Sequence, residues 1–132
     1  MRTSKDIFIS YSHVDKAWVT SELLPRLELN GFSVVVDFRD FLAGASGIEQ
    51  METAVLSCRK ILLVLTPEFV ASDWCKFENV MAQSLDPGAT HRKLIPVLKA
   101  PCEVPLRLRT LHYRNLCAND PQEWALLIRD LM

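Results

Sequence analysis

The sequence predicts a three-layer α/β domain in which helices cover both faces of a parallel, five-stranded sheet. Short segments rich in branched apolar side chains alternate with segments whose apolar residues recur at helical spacing. Residues 61–65 are apolar throughout, as expected for a strand that is buried on both faces. The 132 residues, of which 49% are hydrophobic, suffice for a single domain with a sizeable core.

The first predicted strand covers residues 7–10, and a polar turn with the sequence YSHV follows it. A dinucleotide fold of the Rossmann kind needs small residues in this turn, so that backbone amides can approach a pyrophosphate. The turn carries Tyr11 and His13 instead, which argues against that mode of binding. For the same reason it is a poor phosphate loop for flavin mononucleotide.

An amphipathic helix is predicted over residues 15–30, with Gly31 as its C-terminal stop. Pro25 removes one backbone hydrogen bond inside this helix, so we expect a kink or a break there. Residues 32–36 form the second predicted strand. Strand, helix and strand in this order predict a parallel pair joined by a right-handed crossover.

Residues 38–47, with the sequence FRDFLAGASG, are predicted to form a flexible loop after the second strand. Connections of about ten residues are long for this type of fold, and long loops at strand ends are often functional. A helix should follow, because four apolar residues recur at helical spacing and Ser46 or Gly47 can cap it. These four residues are Ile48, Met51, Val55 and Cys58.

The predicted central strand, residues 61–65, leads through Thr66 and Pro67 towards a helix that Ser72 can cap. Helical spacing places Trp74 and Glu78 on one face of this helix, which we expect to end between residues 84 and 88. The start of a helix that follows a buried parallel strand lies at the edge of the sheet where ligands bind. This acid beside a tryptophan is therefore the main functional candidate.

The remaining elements complete the sheet. Residues 94–98 predict a fourth strand, in which Pro96 favours a position near a sheet margin or a local irregularity. Residues 111–116 predict a brief edge strand, and residues 121–132 a closing helix that Asp120 caps. Together the elements predict the flavodoxin-like strand order 2-1-3-4-5. Since the chain stops almost immediately after its last helix, we expect one domain, residues 1–132, excised from a longer protein.

Composition excludes several functions. The formal charge of −1 and the scattered basic residues argue against a nucleic-acid partner. The absence of a long apolar run or a secretory leader indicates no membrane segment and a cytoplasmic location. The four cysteines are far apart and the three histidines are isolated, so we expect reduced, mostly buried thiols and no metal. A phospho-receiver is excluded because no aspartate ends the third strand.

Four motifs occur in the right order on this pattern: DIFISYSH at 6–13, VVVDFRDFLAG at 34–44, SDWCKFE at 72–78 and LIPVL at 94–98. Their combination resembles the Toll/interleukin-1 receptor (TIR) domain family, most closely its bacterial and NAD-cleaving members. The resemblance covers essentially the whole chain. It implies a flavodoxin-like domain that either cleaves the nicotinamide–ribose bond of NAD or acts as an interaction module.

The resemblance also implies roles for individual residues. Glu78 would be the catalytic residue of a W-x-x-x-E motif, NAD would be the substrate, and no further cofactor is implied. The loop would correspond to the family's BB loop, which contributes to the pocket and to contacts between domains. The expected substrate-binding residues are Ser10, Tyr11, Ser12, Asp37, Arg39 and Trp74, and the expected interaction-loop residues are Phe38, Asp40, Phe41, Leu42 and Gly44.

Each of these residues also has a structural explanation. Ser10, Tyr11 and Ser12 are equally suited to forming the turn after the first strand. Arg39 suits a phosphate because its donors are planar, but an ion pair with Asp37 or Asp40 explains it as well. Trp74 can pack in the core.

The chemistry of NAD cleavage is compatible with one carboxylate. Nicotinamide leaves as a neutral molecule from a cationic ring, so no acid has to protonate it, and an ionised Glu78 would stabilise the oxocarbenium-like centre. The first hypothesis is an NAD nucleosidase that yields ADP-ribose or a cyclic form of it and is activated by self-association in signalling or immune defence. The alternatives are a non-catalytic TIR–TIR interaction module and a nucleoside deoxyribosyltransferase-like enzyme.

Overall fold

The computed structural model describes residues 5–44, 46–72, 92–104, 108–109 and 111–132. Within these ranges five parallel strands form one sheet in the order β2-β1-β3-β4-β5, which confirms the predicted flavodoxin-like fold and strand order. The strands are β1 Lys5–Ser10, β2 Val34–Val35, β3 Cys58–Leu65, β4 Leu94–Leu98 and β5 Arg114–Asn115.

Helical segments connect the strands. The first connection consists of a 3₁₀ turn, His13–Asp15, followed by α1 Lys16–Trp18, a π-helical stretch Val19–Leu23 and α2 Leu24–Leu29. The later helices are α3 Asp37–Asp40, α4 Gly47–Ser57, α5 Pro67–Val70 and the C-terminal helix Pro121–Leu131. Within the described part of the chain, every helix is too short or too polar to cross a bilayer.

The first helical connection accommodates Pro25 by changing its hydrogen-bond pattern. The π-helical stretch Val19–Leu23 ends one residue before α2, and Pro25 occupies the first turn of α2, where a missing N–H does least harm. The hydroxyl of Ser21, one helical turn before the proline, donates to the Ala17 carbonyl at 2.7 Å. The chain therefore stays helical through the proline, and a local widening replaces the expected break.

Apolar side chains form one cluster on each face of the sheet. The first cluster joins the first helical connection to the C-terminal helix, and Trp124 and Leu127 are buried in it. The second cluster packs α4 and α5 against the other face, with Met51 and Phe69 at its centre. Because β3 lies between these layers, Cys58 and all residues from Ile61 to Leu65 are fully buried.

The main chain of Pro96 faces β5, which is the shorter of the two strands that pair with β4. Ile61 N donates to Lys93 O at 2.7 Å, and Leu116 N donates to Leu98 O at 2.8 Å, so main-chain groups of β4 alternate between β3 and β5. This alternation directs the main chain of Pro96 towards β5, which pairs only with Val97 and Leu98. β4 is not an edge strand, but its proline lies where the pairing with β5 ends.

Capping residues mark the helix ends as predicted. Ser46 Oγ accepts from Glu49 N at 3.3 Å at the start of α4, and Asp120 Oδ1 accepts from Gln122 N at 2.9 Å before the C-terminal helix. Trp124, Leu127 and Leu131 of that helix are buried, and Ile128 packs against the same cluster.

Two local predictions were wrong, and one short helix was not predicted. Cys58 begins β3 and does not belong to the face of α4. The predicted flexible loop starts with a helical turn, α3, because the Asp40 carboxylate accepts from Val36 N at 2.8 Å. Thr66 is the N-cap of the short helix α5, which the sequence reading missed, and its hydroxyl accepts from Phe69 N at 3.2 Å. The predicted helix that carries Trp74 and Glu78 lies outside the described residues.

Of the cysteines in the described ranges, all three are free. Cys58 is buried, Cys102 is half-buried and Cys117 is exposed, so the expectation of mostly buried thiols fails at Cys117. Burial raises the pKa of the Cys58 thiol to about 11, which leaves it protonated at neutral pH.

Candidate functional site

A cleft of about 400 Å³ opens at the carboxyl ends of the first three strands. It lies at the point where the strand order reverses, because β2 and β3 lie on opposite sides of β1. Ligands bind at this point in folds of this type. The described residues that line the cleft are Tyr11, Ser12, His13, Asp37, Phe41, Gly47 and Ser72.

A hydrogen bond between Tyr11 and Asp37 forms one wall of the cleft. The Tyr11 hydroxyl donates to Asp37 Oδ1 at 2.7 Å, and Tyr11 is 6% exposed. Burial, together with the bond and the negative charge of Asp37, raises the pKa of the Tyr11 hydroxyl well above its ordinary value. Tyr11 therefore remains a donor at any physiological pH and fixes the orientation of the carboxylate.

His13 lies beside this pair and was not among the predicted site residues. Its Nε2 is 3.5 Å from Asp37 Oδ2, and its ring stacks on Tyr11 with the ring centres 6.2 Å apart. The His13 side chain is 86% exposed, so a ligand can reach it from solvent. Its place directly after Tyr11 and Ser12, in the turn that ends β1, was the sequence signal that could have identified it.

Asp37 carries the formal charge of the described cleft wall. Its Oδ1 also accepts from Phe38 N at 2.7 Å, and the side chain is 30% exposed. The other described lining side chains are neutral hydroxyls, aromatic rings and an imidazole, and Gly47 has no side chain. This wall therefore suits a polar, uncharged or cationic group better than a phosphate.

Arg39 lies away from the cleft. Its guanidinium donates to Val34 O at 2.7 Å and pairs with Glu28 at 3.0 Å and with Asp40 at 3.3 Å. Of the two ion pairs that the sequence left open, the pair with Asp40 is present. With its donors occupied in this way, Arg39 holds the start of the loop against α2 and β2, and contact with a pyrophosphate stays a prediction.

The loop presents apolar side chains to solvent. Phe38 is 41% exposed and Leu42 is 73% exposed, whereas Phe41 turns inward and stacks on Phe8 with the ring centres 6.0 Å apart. Gly44 has a φ of 85°, a conformation in which other residues are strained. Lys16 Nζ lies 5.1 Å from the centre of the Phe38 ring, a cation–π contact that partly orders this exposed ring.

The remaining predicted site residues are distributed differently. Ser12 lines the cleft, whereas Ser10 is 2% exposed within β1 and is not among the described lining residues. Ser72 lies at the rim, and its hydroxyl donates to Phe69 O at 2.6 Å. Trp74 and Glu78 lie outside the described residues. Among the residues that are described, no group of three or more His, Cys, Asp and Glu side chains is placed to hold a metal ion.

Comparison with known sequences identifies relatives among animal receptors. Toll-like receptor 1 of Homo sapiens is 44% identical over 75 residues, which is 57% of this chain and 10% of the receptor. Toll-like receptor 4 of Sus scrofa is 32% identical over 123 residues, which is 90% of this chain and 15% of the receptor. The chain thus matches only a small part of each receptor's length.

Solved structures show the same similarity over nearly the whole chain. The TIR domain of the Toll-related receptor TRR-2 from Hydra magnipapillata has a TM-score of 0.82 and 31% identity, with 97% of this chain and 98% of that one covered. A TIR-STING receptor from C. gigas, solved in complex with 2',3'-cGAMP, has a TM-score of 0.82 and 27% identity, with 98% and 40% covered.

These relatives are animal proteins, so membership of the bacterial, NAD-cleaving subgroup that the motifs resemble stays a prediction. The family itself is shown by the model described as "TIR domain", which matches residues 7–130, nearly the entire sequence. On this evidence, the chain belongs to the TIR domain family.

Proposed function

We propose that this domain is a signalling module that works in the cytoplasm and associates with other TIR domains through the face formed by Phe38 and Leu42, here called the loop face. The observation that carries the proposal is that these apolar side chains are exposed on a backbone that is fixed on both sides. Arg39 holds the loop at its start through Val34 O and Glu28. Gln50 of α4 holds the main chain of Leu42.

Preorganisation distinguishes the loop face from other exposed apolar residues. Leu29 and Leu56 are 86% and 60% exposed, but single exposed leucines on helices are ordinary. A fixed loop loses little conformational freedom when a partner binds, so more of the contact energy remains as affinity. The similarity to receptor TIR domains supports the same proposal.

The mass of the purified chain, followed by light scattering over a concentration series, tests this proposal. We expect the wild-type mass to rise with concentration, Leu42→Ser to stay monomeric, and Leu56→Ser to behave like wild type. Leu56 is the matched control because it is an exposed leucine on α4 outside the loop. A wild type that never associates, or a Leu42→Ser variant that associates equally well, contradicts the proposal.

A second candidate function is cleavage of NAD, and the cleft supports it. The volume of about 400 Å³ is near the lower end for ligand pockets, which suits a part of the dinucleotide. The carboxylate of Asp37, with hydroxyls and aromatic rings around it, suits a ribose and a cationic nicotinamide ring. Ser72 lines the cleft, and Trp74 and Glu78 follow it by two and six positions along the chain.

In this second proposal, two carboxylates divide the work. Asp37, oriented by the Tyr11 hydroxyl, accepts hydrogen bonds from the substrate's polar groups. Glu78 stabilises the positive charge that develops on the ribose while nicotinamide departs. Because the cleft is small for the whole dinucleotide, a second copy of the domain would complete the site, which links turnover to association.

Nicotinamide release by the concentrated chain tests the second proposal. Glu78→Gln should reduce the rate by about 10²- to 10⁴-fold, as for other positioned catalytic groups. Glu68→Gln is the control, since Glu68 is an exposed acid on α5. Full activity in Glu78→Gln removes the proposed role of Glu78. Association without any turnover leaves the interaction module as the function.

A further inference from the structure

A second cavity, of about 340 Å³, lies at the opposite edge of the sheet from the cleft. Residues just before β4 and β5 and in the first part of each strand line it, together with Asp130 near the end of the C-terminal helix. In a parallel sheet the residues that precede the strands mark the amino edge, whereas the cleft lies at the carboxyl edge. The cavity is therefore a separate feature of the domain.

The short length of β5 explains why this cavity exists. β5 pairs with Val97 and Leu98 only, so the first half of β4 has no strand partner on that side among the described residues. Leu94, Ile95, Pro96 and Leu111 form an apolar wall there. Pro96 contributes no N–H to this side, which reduces the number of polar groups in the wall.

Basic side chains form the other wall. Arg114 pairs with Asp130 through two hydrogen bonds, at 2.5 and 3.3 Å, and both side chains are 14% exposed. Arg92 also lines the cavity, and its guanidinium makes no hydrogen bond or ion pair with any described residue. The described lining residues include two arginines and one carboxylate, which gives this lining an excess of positive charge.

The backbone at Arg92 is held in an uncommon conformation. Its φ is 50°, in the left-handed region that few non-glycine residues adopt. The ammonium of Lys60, which is 4% exposed, donates to Arg92 O at 2.9 Å and so fixes the main chain of Arg92. Arg92 thus combines an uncommon backbone conformation with an exposed charged side chain that pairs with no described residue, at a cavity with an apolar wall. Such combinations are found at binding sites.

We propose that this cavity binds a small carboxylate with a short apolar chain. The Arg92 guanidinium pairs with the carboxylate, since its planar donors match two carboxylate oxygens. The apolar chain lies against Leu94, Pro96 and Leu111. The site is independent of the cleft and of the loop face, so it offers the domain a second ligand at the edge opposite to both.

NMR titration of the ¹⁵N-labelled chain with hexanoate tests this site. We expect saturable shifts at the amides of Leu94, Ile95 and His112, and an affinity that falls about tenfold or more in Arg92→Asn, because a charge-assisted hydrogen bond is lost. Asparagine tolerates the left-handed backbone, so this variant keeps the turn. Arg109→Asn, which removes an exposed arginine that does not line the cavity, should bind like wild type.

Two further probes separate the contributions of charge and chain. Hexanol carries the chain without the charge, and inorganic phosphate carries charge without the chain, so both should bind more weakly than hexanoate. Hexanol that binds as tightly as hexanoate overturns the role of Arg92, and phosphate that does so overturns the role of the apolar wall. The absence of saturable shifts with hexanoate, or unchanged affinity in Arg92→Asn, overturns the site itself.

Discussion

The side chain of Gln50 binds both main-chain polar groups of Leu42. Leu42 N donates to Gln50 Oε1 at 2.6 Å, and Gln50 Nε2 donates to Leu42 O at 3.2 Å. Gln50 belongs to α4, so a side chain of this helix fixes the loop through two hydrogen bonds to the main chain of Leu42. The Leu42 side chain is 73% exposed on this fixed backbone among the residues that the structure describes.

Gln50→Ala should therefore weaken self-association without unfolding the domain. Loss of the two bonds frees the loop, and at about 0.5–1.5 kcal/mol for each bond the affinity should fall up to about 100-fold. Light scattering measures the association, and hydrogen exchange at the Leu42 amide should become faster. Gln122→Ala, an exposed change in the C-terminal helix, serves as control. Unchanged association in Gln50→Ala means that the tie does not organise the loop face.

Tyr11→Phe should lower stability and alter its dependence on alkaline pH. The bond to the Asp37 carboxylate is worth about 1.5–3 kcal/mol, as for other bonds to charged groups. Because the folded pKa of Tyr11 is raised, its stabilisation is complete below the unfolded pKa of about 10 and is lost as the pH rises further.

Urea unfolding of wild type and Tyr11→Phe from pH 8 to pH 11 checks this prediction. The difference in stability between the two proteins should shrink above about pH 10. Cys58 also has a raised pKa, but it is present in both proteins, so its contribution cancels. A difference that stays constant with pH would show that Tyr11 does not keep its proton in the folded state.

Lys99→Met should destabilise the domain more than the double variant Asp15→Asn, Lys99→Met. Lys99 Nζ lies 3.1 Å from Asp15 Oδ1, Asp15 is 6% exposed, and its Oδ2 has no hydrogen-bond partner among the described residues. Removal of the lysine leaves a buried carboxylate without its cation, at a cost of about 3 kcal/mol. Denaturant unfolding of the single and double variants measures the coupling between Asp15 and Lys99. Equal losses of stability in both variants would show that the two side chains are not coupled.

Asp130→Asn should lower the free energy of unfolding at neutral pH. As the pH falls, the variant should lose less stability than the wild type. Burial pushes the pKa of Asp130 up, but the bonds and charges of Arg114 and Arg129 outweigh burial, so its pKa lies below the ordinary value. The stabilisation is therefore present above the unfolded pKa of about 3.9 and is lost as the pH falls through the lower, folded pKa.

Unfolding between pH 7 and pH 3 measures this effect. The variant should be less stable by about 1–3 kcal/mol at pH 7, and the gap should narrow below about pH 4. Glu52→Gln, which changes an exposed acid on α4, should follow the wild-type curve. If the difference in stability between the two proteins is unchanged at pH 3, the charge of Asp130 is not its cause.

The sequence by itself determined the class of the domain and the order of its strands. Branched apolar runs such as residues 61–65 are typical of strands buried on both faces of a parallel sheet, and short-range caps such as Ser46 and Asp120 depend on neighbours a few positions away. These signals are local, so they can be read along the chain. The motifs that resemble the TIR family belong to the same level, and the family assignment confirmed them.

Only the tertiary structure decided which polar side chains meet. Tyr11 and Asp37 are 26 positions apart. The sequence left open whether Arg39 contacts a ligand or forms an ion pair with an acidic residue. Its partners, Glu28 and Val34 O, come from an earlier helix and strand, and the Gln50 tie spans eight positions across a loop. Such pairings depend on distances that the packing of the layers creates. No local pattern encodes them, and for that physical reason the fold was predictable and the geometry of the cleft was not.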